Sequence, residues 1–308
     1  CLLTEQVVGL LATLAAYGAI WAVNFFIVRG YFGSQFLHTN TEAVKYLCEC
    51  VAYVVYMFIP FILITYVLRV SPARSVNARK IARPWLLLAA VPTVMSFYFA
   101  GNFFTDIIVE LLRLIHLNPV PPSMLETPTT TSAYVIFCIK VCVFAPIIEE
   151  FIFRGLIMRS LLRFGSGFAI VMSSLLFAML HGNLAQIPFA FIVGLSLGYF
   201  AYKLNSVWAS VILHSFVNTT STVIDFIQKS MGNTQAQIVS FALMGIFGLL
   251  FLLAAALLYR TGFFSHSHTP AAEKTPVSIK TRSFLLTPGF MVFLALTVAL
   301  IVLTTSII

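Results

Sequence analysis

The sequence predicts an all-α fold, a polytopic membrane bundle of about eight or nine transmembrane helices. Three observations carry this. Hydrophobic residues make up 60% of the 308 and charged residues only 9%, where a soluble domain carries roughly 25% charged. Apolar runs of 18 or more residues recur along the chain, and about 20 helical residues cross the hydrocarbon core of a bilayer. The basic residues gather in alternate loops, as they do when they set membrane orientation.

The expected spans are 7–28, 46–68, 84–105, 132–159, 168–184, 187–203, 206–226, 237–259 and 285–307. The first run has no basic segment or small-residue cleavage pattern before it, so it reads as a span and not as a removed signal peptide. Residues 106–131 end in PVPPSMLETPTTT, a loop by composition. Residues 261–283 read as a polar linker whose His266 and His268 are solvated. The chain thus divides into N-terminal membrane helices over 1–131, a central segment over 132–226, and C-terminal helices with their linker over 227–308.

Orientation follows from the basic residues. Arg69, Arg74, Arg79, Lys80 and Arg83 crowd the loop after the second span, and alternation puts Arg159, Arg163, Lys203, Arg260, Lys274, Lys280 and Arg282 on the same side. The other side receives Arg29, Lys45, Arg113 and Lys229. The N-terminus is therefore expected in the cytoplasm and the C-terminus outside. This asymmetry accounts for the net charge of +8, and no nucleic-acid partner is implied. Cys48, Cys50, Cys138 and Cys142 lie in or beside apolar helices, where free cysteine behaves as a small hydrophobe.

Charges inside a span are expensive and functional by default. The fourth span reads APIIEEFIFRGLIMRSL, with Glu149, Glu150 and Arg154 in its apolar section. Glu150 and Arg154 are spaced i,i+4, so a carboxylate and a guanidinium share one face and can pair. The bland reading of that pair is an ion bridge that pins helices. Adjacent residues point about 100° apart on a helix, which leaves Glu149 without a partner on its own helix. A carboxylate that no cation claims is free to take a proton, the requirement for a general base.

Partners for Glu149 exist on later spans. Phe177 and His181 sit four apart at the end of the fifth, and His214 and Asn218 four apart on the seventh. Gly165 centres the turn between the fourth and fifth spans, with Glu149 16 residues before it and His181 16 after. Equal counts in a helical hairpin mean equal depth, roughly 15 Å from the interface at Arg159 for Glu149. His214 and Asn218 reach roughly 12–20 Å from the Lys203–Ser206 turn by the same rise. All four can meet in the cytoplasmic half of the membrane or near its midplane. Gly194 and Gly198 give the sixth span a small face for close helix approach.

These residues, EEFIFR, then Phe177-x-x-x-His181, then His214-x-x-x-Asn218, resemble the CAAX-protease and bacteriocin-processing family, also called CPBP or Abi, over roughly residues 130–222. The resemblance implies an intramembrane endopeptidase whose relatives trim prenylated proteins or serve in bacteriocin immunity and peptide processing. It implies that Glu149 activates the attacking water with help from His181. His214 and Asn218 would hydrogen-bond the oxyanion, while Glu150, Arg154 and Phe177 support them. A bacterial plasma membrane and a membrane-associated protein or peptide substrate, including lipidated ones, go with that reading.

Alternatives remain at this point. The family has also been described as metalloproteases, and Glu149, His181 and His214 could be three ligands of a catalytic zinc. HExxH is absent, and a metal-bound Glu149 would need another base, so metal-free catalysis without a cofactor is preferred. Gly194-Leu195-Ser196-Leu197-Gly198 matches G-x-S-x-G, but a nucleophile elbow needs a strand–turn–helix context. A transporter would also use intramembrane Glu, Arg and His, though paired repeats are not visible. A non-catalytic immunity or binding protein is the remaining class.

Overall fold

The computed structural model describes residues 42–43, 46–54, 57, 76, 78–81, 83–119, 128–263 and 275–307. The described part is mostly helical. Residues 46–54 are helical. A short turn at Pro84–Leu86 leads into α1 (Leu87–Leu114). Then come α2 (131–161), α3 (Ser166–Leu180), α4 (Ile187–Lys203) and α5 (Val207–Met231). The chain continues with α6 (Asn233–Arg260), α7 (Val277–Leu285) and α8 (Pro288–Thr304). Prolines stand at the start of α4 and α8, where a missing N–H costs nothing.

Among the described residues, Pro84–Leu114, Val207–Met231 and Asn233–Arg260 are each long and apolar enough to cross a membrane. α7 and α8 pass that test together, bent by 64° at their junction. α3 and α4 are shorter; at about 1.5 Å per residue α3 rises roughly 22 Å. The expected span 7–28 and most of 46–68 lie outside the described residues. Several expected boundaries move, among them the end of the seventh span, which runs on to Met231, and the start of the eighth, at Asn233. The third helix runs on to Leu114, because its apolar periodicity continues past 105. The fifth stops at Leu180, before the positive-φ Gly182 (φ 58). The expected linker 261–283 contains the start of α7.

The one strand pairing among the described residues joins β1 (Leu117–Pro119) to β2 (Thr305–Ile307), antiparallel, with Asn118 opposite Ser306. It ties the ends of α1 and α8 to one end of the bundle, as alternating spans require.

α2 is continuous but not uniform. Turns of π-helix at Lys140–Phe144 and Phe151–Ile157 interrupt the α geometry. Proline in a regular helix clashes with the carbonyl four residues earlier, and Pro146 directly follows the first widened turn. That turn accommodates the ring without breaking the helix. Gly165, at φ 110, makes the sharp turn into α3, a conformation open to glycine and strained for other residues.

Two apolar clusters build the interior. One joins α2, α3, α7 and α8 through Ile148, Phe153, Leu176, Phe177, Phe284 and Phe293. The other joins α1, α4, α5 and α6 through Met95, Tyr98, Leu197, Phe200, Leu213 and Leu258. α4 touches both, since Ala190 and Ala201 belong to the first. Its glycines allow this: a Cβ on Gly194 would stand 3.2 Å from Phe177 and Ser174 and 3.3 Å from the Arg154 guanidinium.

Overfilling that contact costs about 1–3 kcal/mol. Gly194→Leu is therefore expected to lower the melting temperature in detergent. Gly245→Leu, where nothing lies within 4 Å of the added Cβ, is expected to leave it unchanged.

Glu42 holds the start of α2. Its carboxylate accepts from the backbone N–H groups of Thr129 and Thr130, each at 2.8 Å, and from both hydroxyls. The Thr129 backbone bond is the largest influence holding its pKa down at about 2, against 4.5 for a free glutamate. A depressed folded-state pKa contributes stability that is complete above the unfolded value and lost as pH falls toward the folded one. Glu42→Gln should therefore flatten the fall in melting temperature between about pH 4.5 and pH 2.

Candidate active site

α2, α3 and α5 bring the predicted side chains together. Glu150 and Arg154 pair as their spacing requires, Nη1 to Oε1 at 2.9 Å, with both side chains fully buried. The same carboxylate oxygen accepts from His214 Nδ1 at 2.9 Å. Arg154 spends its other terminal nitrogen on the Gly194 carbonyl of α4 at 2.9 Å, and its guanidinium lies 4.6 Å over the Phe177 ring. Phe177 in turn meets His181 and His214 edge-on, at 5.1 and 5.6 Å between ring centres. One aromatic ring thus touches the guanidinium and both imidazoles.

Glu149 is arranged differently. Its side chain keeps 14% of its surface, while that of Glu150 keeps none. Oε1 accepts from the Tyr53 hydroxyl at 2.6 Å. Oε2 stands 3.8 Å from His214 Nε2, beyond hydrogen-bond reach and close enough for one oxygen atom to bond both. Glu149 is accordingly the acid that Arg154 does not claim, as its place in the sequence suggests. The two acids, pointing apart on α2, meet opposite nitrogens of one imidazole.

The hydrogen-bond partners place a proton on Nδ1 of each histidine. His181 Nδ1 lies 3.0 Å from the Phe177 carbonyl. A carbonyl can only accept, so Nδ1 carries the proton and neutral His181 keeps its lone pair on Nε2. His214 Nδ1 faces a carboxylate oxygen shared with Arg154, so it also donates, and Nε2 is left toward Glu149.

Asn218 lies one turn beyond His214. Its Nδ2 donates to the Val141 carbonyl in the first widened turn of α2, at 2.8 Å. That bond uses one of two amide hydrogens, and it holds α5 against α2. Among the described residues, no hydrogen bond links Asn218 to Glu149 or to either histidine.

Sequence reasoning did not find Tyr53. A tyrosine in an apolar run looks like any interfacial aromatic, and its partner is 96 residues away. It also gave Glu150 to Arg154 alone, because the His214 contact needs the α2–α5 register. Ser196, inside the G-x-S-x-G run, lies mid-helix in α4, and its hydroxyl donates to the Val193 carbonyl at 2.7 Å. It has no elbow geometry.

Zinc requires three side-chain donors around one point. Among the described residues no group of three His, Cys, Asp or Glu side chains is so gathered, and the Glu149, His181 and His214 set does not fit a zinc site as it stands.

Comparison with known proteins places this cluster in a family context. Residues 131–220 match the family model described as type II CAAX prenyl endopeptidase Rce1-like. The match spans α2, α3, α4 and the half of α5 that holds His214 and Asn218. It bears out the resemblance read from the motifs, and it supports an intramembrane protease. No curated protein and no solved structure matched the chain.

Removing one partner of a buried ion pair costs about 3–5 kcal/mol, because the other charge is stranded. Arg154→Met is expected to destabilise the detergent-solubilised protein strongly. Glu150→Gln combined with Arg154→Met should recover part of the loss, since a neutral amide can still accept from His214. Melting temperatures of the three proteins check this.

Proposed function

We propose that the chain is an intramembrane endopeptidase that hydrolyses a peptide bond with a water molecule activated by Glu149. The observation that carries this reading is the split between the two acids. Glu150 is sealed and occupied by Arg154 and His214, whereas Glu149 is partly open and, among the described residues, forms no ion pair with an Arg or Lys.

In this mechanism Glu149 Oε2 takes a proton from water as the oxygen attacks the substrate carbonyl carbon. His181 Nε2, with its lone pair fixed by the Nδ1 bond to Phe177, accepts the water's other hydrogen and orients it. The carbonyl oxygen becomes an oxyanion. His214, protonated at both nitrogens and steadied by the Glu150 carboxylate on Nδ1, donates to that oxyanion from Nε2. The second amide hydrogen of Asn218 joins it. Donors fixed in place before charge develops are the larger part of such catalysis. The tetrahedral intermediate then breaks at the C–N bond. The proton held by Glu149 passes to the leaving amine, and the products are an amine and a carboxylic acid, which keeps the water's other hydrogen until it ionises.

The substrate is a membrane-associated protein or peptide. The matched family's description names prenyl CAAX endopeptidases, so a lipidated C-terminal peptide is the first substrate to assay. The basic end of the bundle, with Arg159, Arg163, Lys203, Arg260 and Arg282, faces the cytoplasm by the alternation of charge, and the N-terminus lies on that side. A bacterial plasma membrane is the setting proposed for it.

General-base catalysis contributes typically 10²–10⁴-fold. Glu149→Gln should lower kcat on a membrane-tethered peptide by at least about 100-fold while the protein still folds, and a strong chelator should leave the wild type unaffected. Activity abolished by the chelator and restored by zinc would replace this mechanism with a metalloprotease. Wild-type turnover in Glu149→Gln would remove Glu149 from the chemistry.

A further inference from the structure

The helix through residues 46–54 lies along α2 by a single stripe. Tyr46 meets Phe137 edge-on at 6.0 Å between ring centres. Glu49 pairs with Lys140 at 3.2 Å. Tyr53 donates its phenol hydrogen to Glu149. Met57, beyond them, is buried in the cluster that contains Ile148 and Ile152. Steps of three, four and four residues keep these positions on one helix face. The stripe lies outside residues 131–220, the segment that matches the protease family, yet it reaches the acid proposed as the base.

We infer that Tyr53 is a positioning residue for Glu149, supplied to the active site by a helix outside the matched domain. The inference rests on the reading of Glu149 as the general base. A carboxylate can present either oxygen and can swing about its side chain. A 2.6 Å O–H···O contact falls in the short range of charge-assisted hydrogen bonds to an ionised acid. It anchors Oε1, so that Oε2 is the oxygen that faces His214 Nε2 at 3.8 Å. Without the phenol, a carboxylate that keeps part of its surface open can turn away from the histidine or close onto it. Either motion displaces the base from the water it must deprotonate, and errors of about 1 Å in such geometry cost about 10²-fold in rate.

The ring and the hydroxyl do separable work. The ring packs against the α2–α3 cluster; the hydroxyl makes the hydrogen bond to Glu149. Tyr53→Phe keeps the first and removes the second, while Tyr53→Leu removes both. Full-length wild type, Tyr53→Phe, Tyr53→Leu and Glu149→Gln would be assayed on one membrane-tethered peptide for kcat and KM, with melting temperatures in the same detergent. The expected result is a kcat roughly 10- to 100-fold lower in Tyr53→Phe, with KM and melting temperature near wild type. Tyr53→Leu should lose as much kcat and also melt earlier. Wild-type kcat in Tyr53→Phe beside an inactive Glu149→Gln would overturn this inference and leave the base in place. A loss in Tyr53→Phe that only tracks a lower melting temperature would make Tyr53 an anchor of the helix and overturn it too. Full activity in Glu149→Gln would overturn the base reading and this inference together.

Discussion

The carboxylate of Glu150 has no solvent to turn to, and much of the arrangement around it follows from how that charge is met. A buried carboxylate persists only where a cation and further hydrogen bonds replace its lost hydration. Arg154 and His214 supply them at one oxygen. Arg154 then has donors of its own to satisfy. It reaches the Gly194 carbonyl and lies over Phe177. Since these groups belong to α2, α3, α4 and α5, one side chain's electrostatic requirement fixes four helices at a common level. The network also crosses from the apolar cluster of α2 and α3 to that of α1, α4, α5 and α6. Gly194 is part of the same constraint, because a side chain there would occupy the space of the guanidinium and the Phe177 ring.

That constraint leaves Glu149 available. Two neighbouring acids on one helix point to different surroundings, and the sealed one takes the cation. The other is met by a neutral phenol and by the far nitrogen of the histidine its neighbour holds. Glu150 thereby holds His214, and Tyr53 holds Glu149, so the two groups proposed to react are met from opposite sides. Fixing groups through their neighbours is how active sites reach productive geometry on a helical scaffold. The widened turns of α2 belong to this arrangement. One gives Pro146 its room and offers the Val141 carbonyl to Asn218; the other follows Glu150 directly.

Local spacing made part of this legible in the sequence. The i,i+4 relation of Glu150 and Arg154, the turn at Gly165 and the close approach at Gly194 each depend on a few neighbouring residues, and each is found in the structure. The gathering of both histidines beside the two acids was legible from depth counting along short hairpins. The second partner of Glu150 and the donor to Glu149 were not. They depend on the rotational setting of α5 and of the 46–54 helix against α2, which no local pattern encodes. The helical start at Val277 was missed for a simpler reason. Polar composition near a membrane surface does not distinguish a loop from a helix that emerges from the bilayer.

The central claim is that a carboxylate, with no metal ion, activates the water. The most direct measurement is the transition-metal content of purified enzyme by mass spectrometry, on the same sample whose turnover has been determined. The account predicts turnover without stoichiometric metal, unchanged as residual metal is stripped away. One zinc per active chain, with activity falling in proportion to its removal, would contradict it.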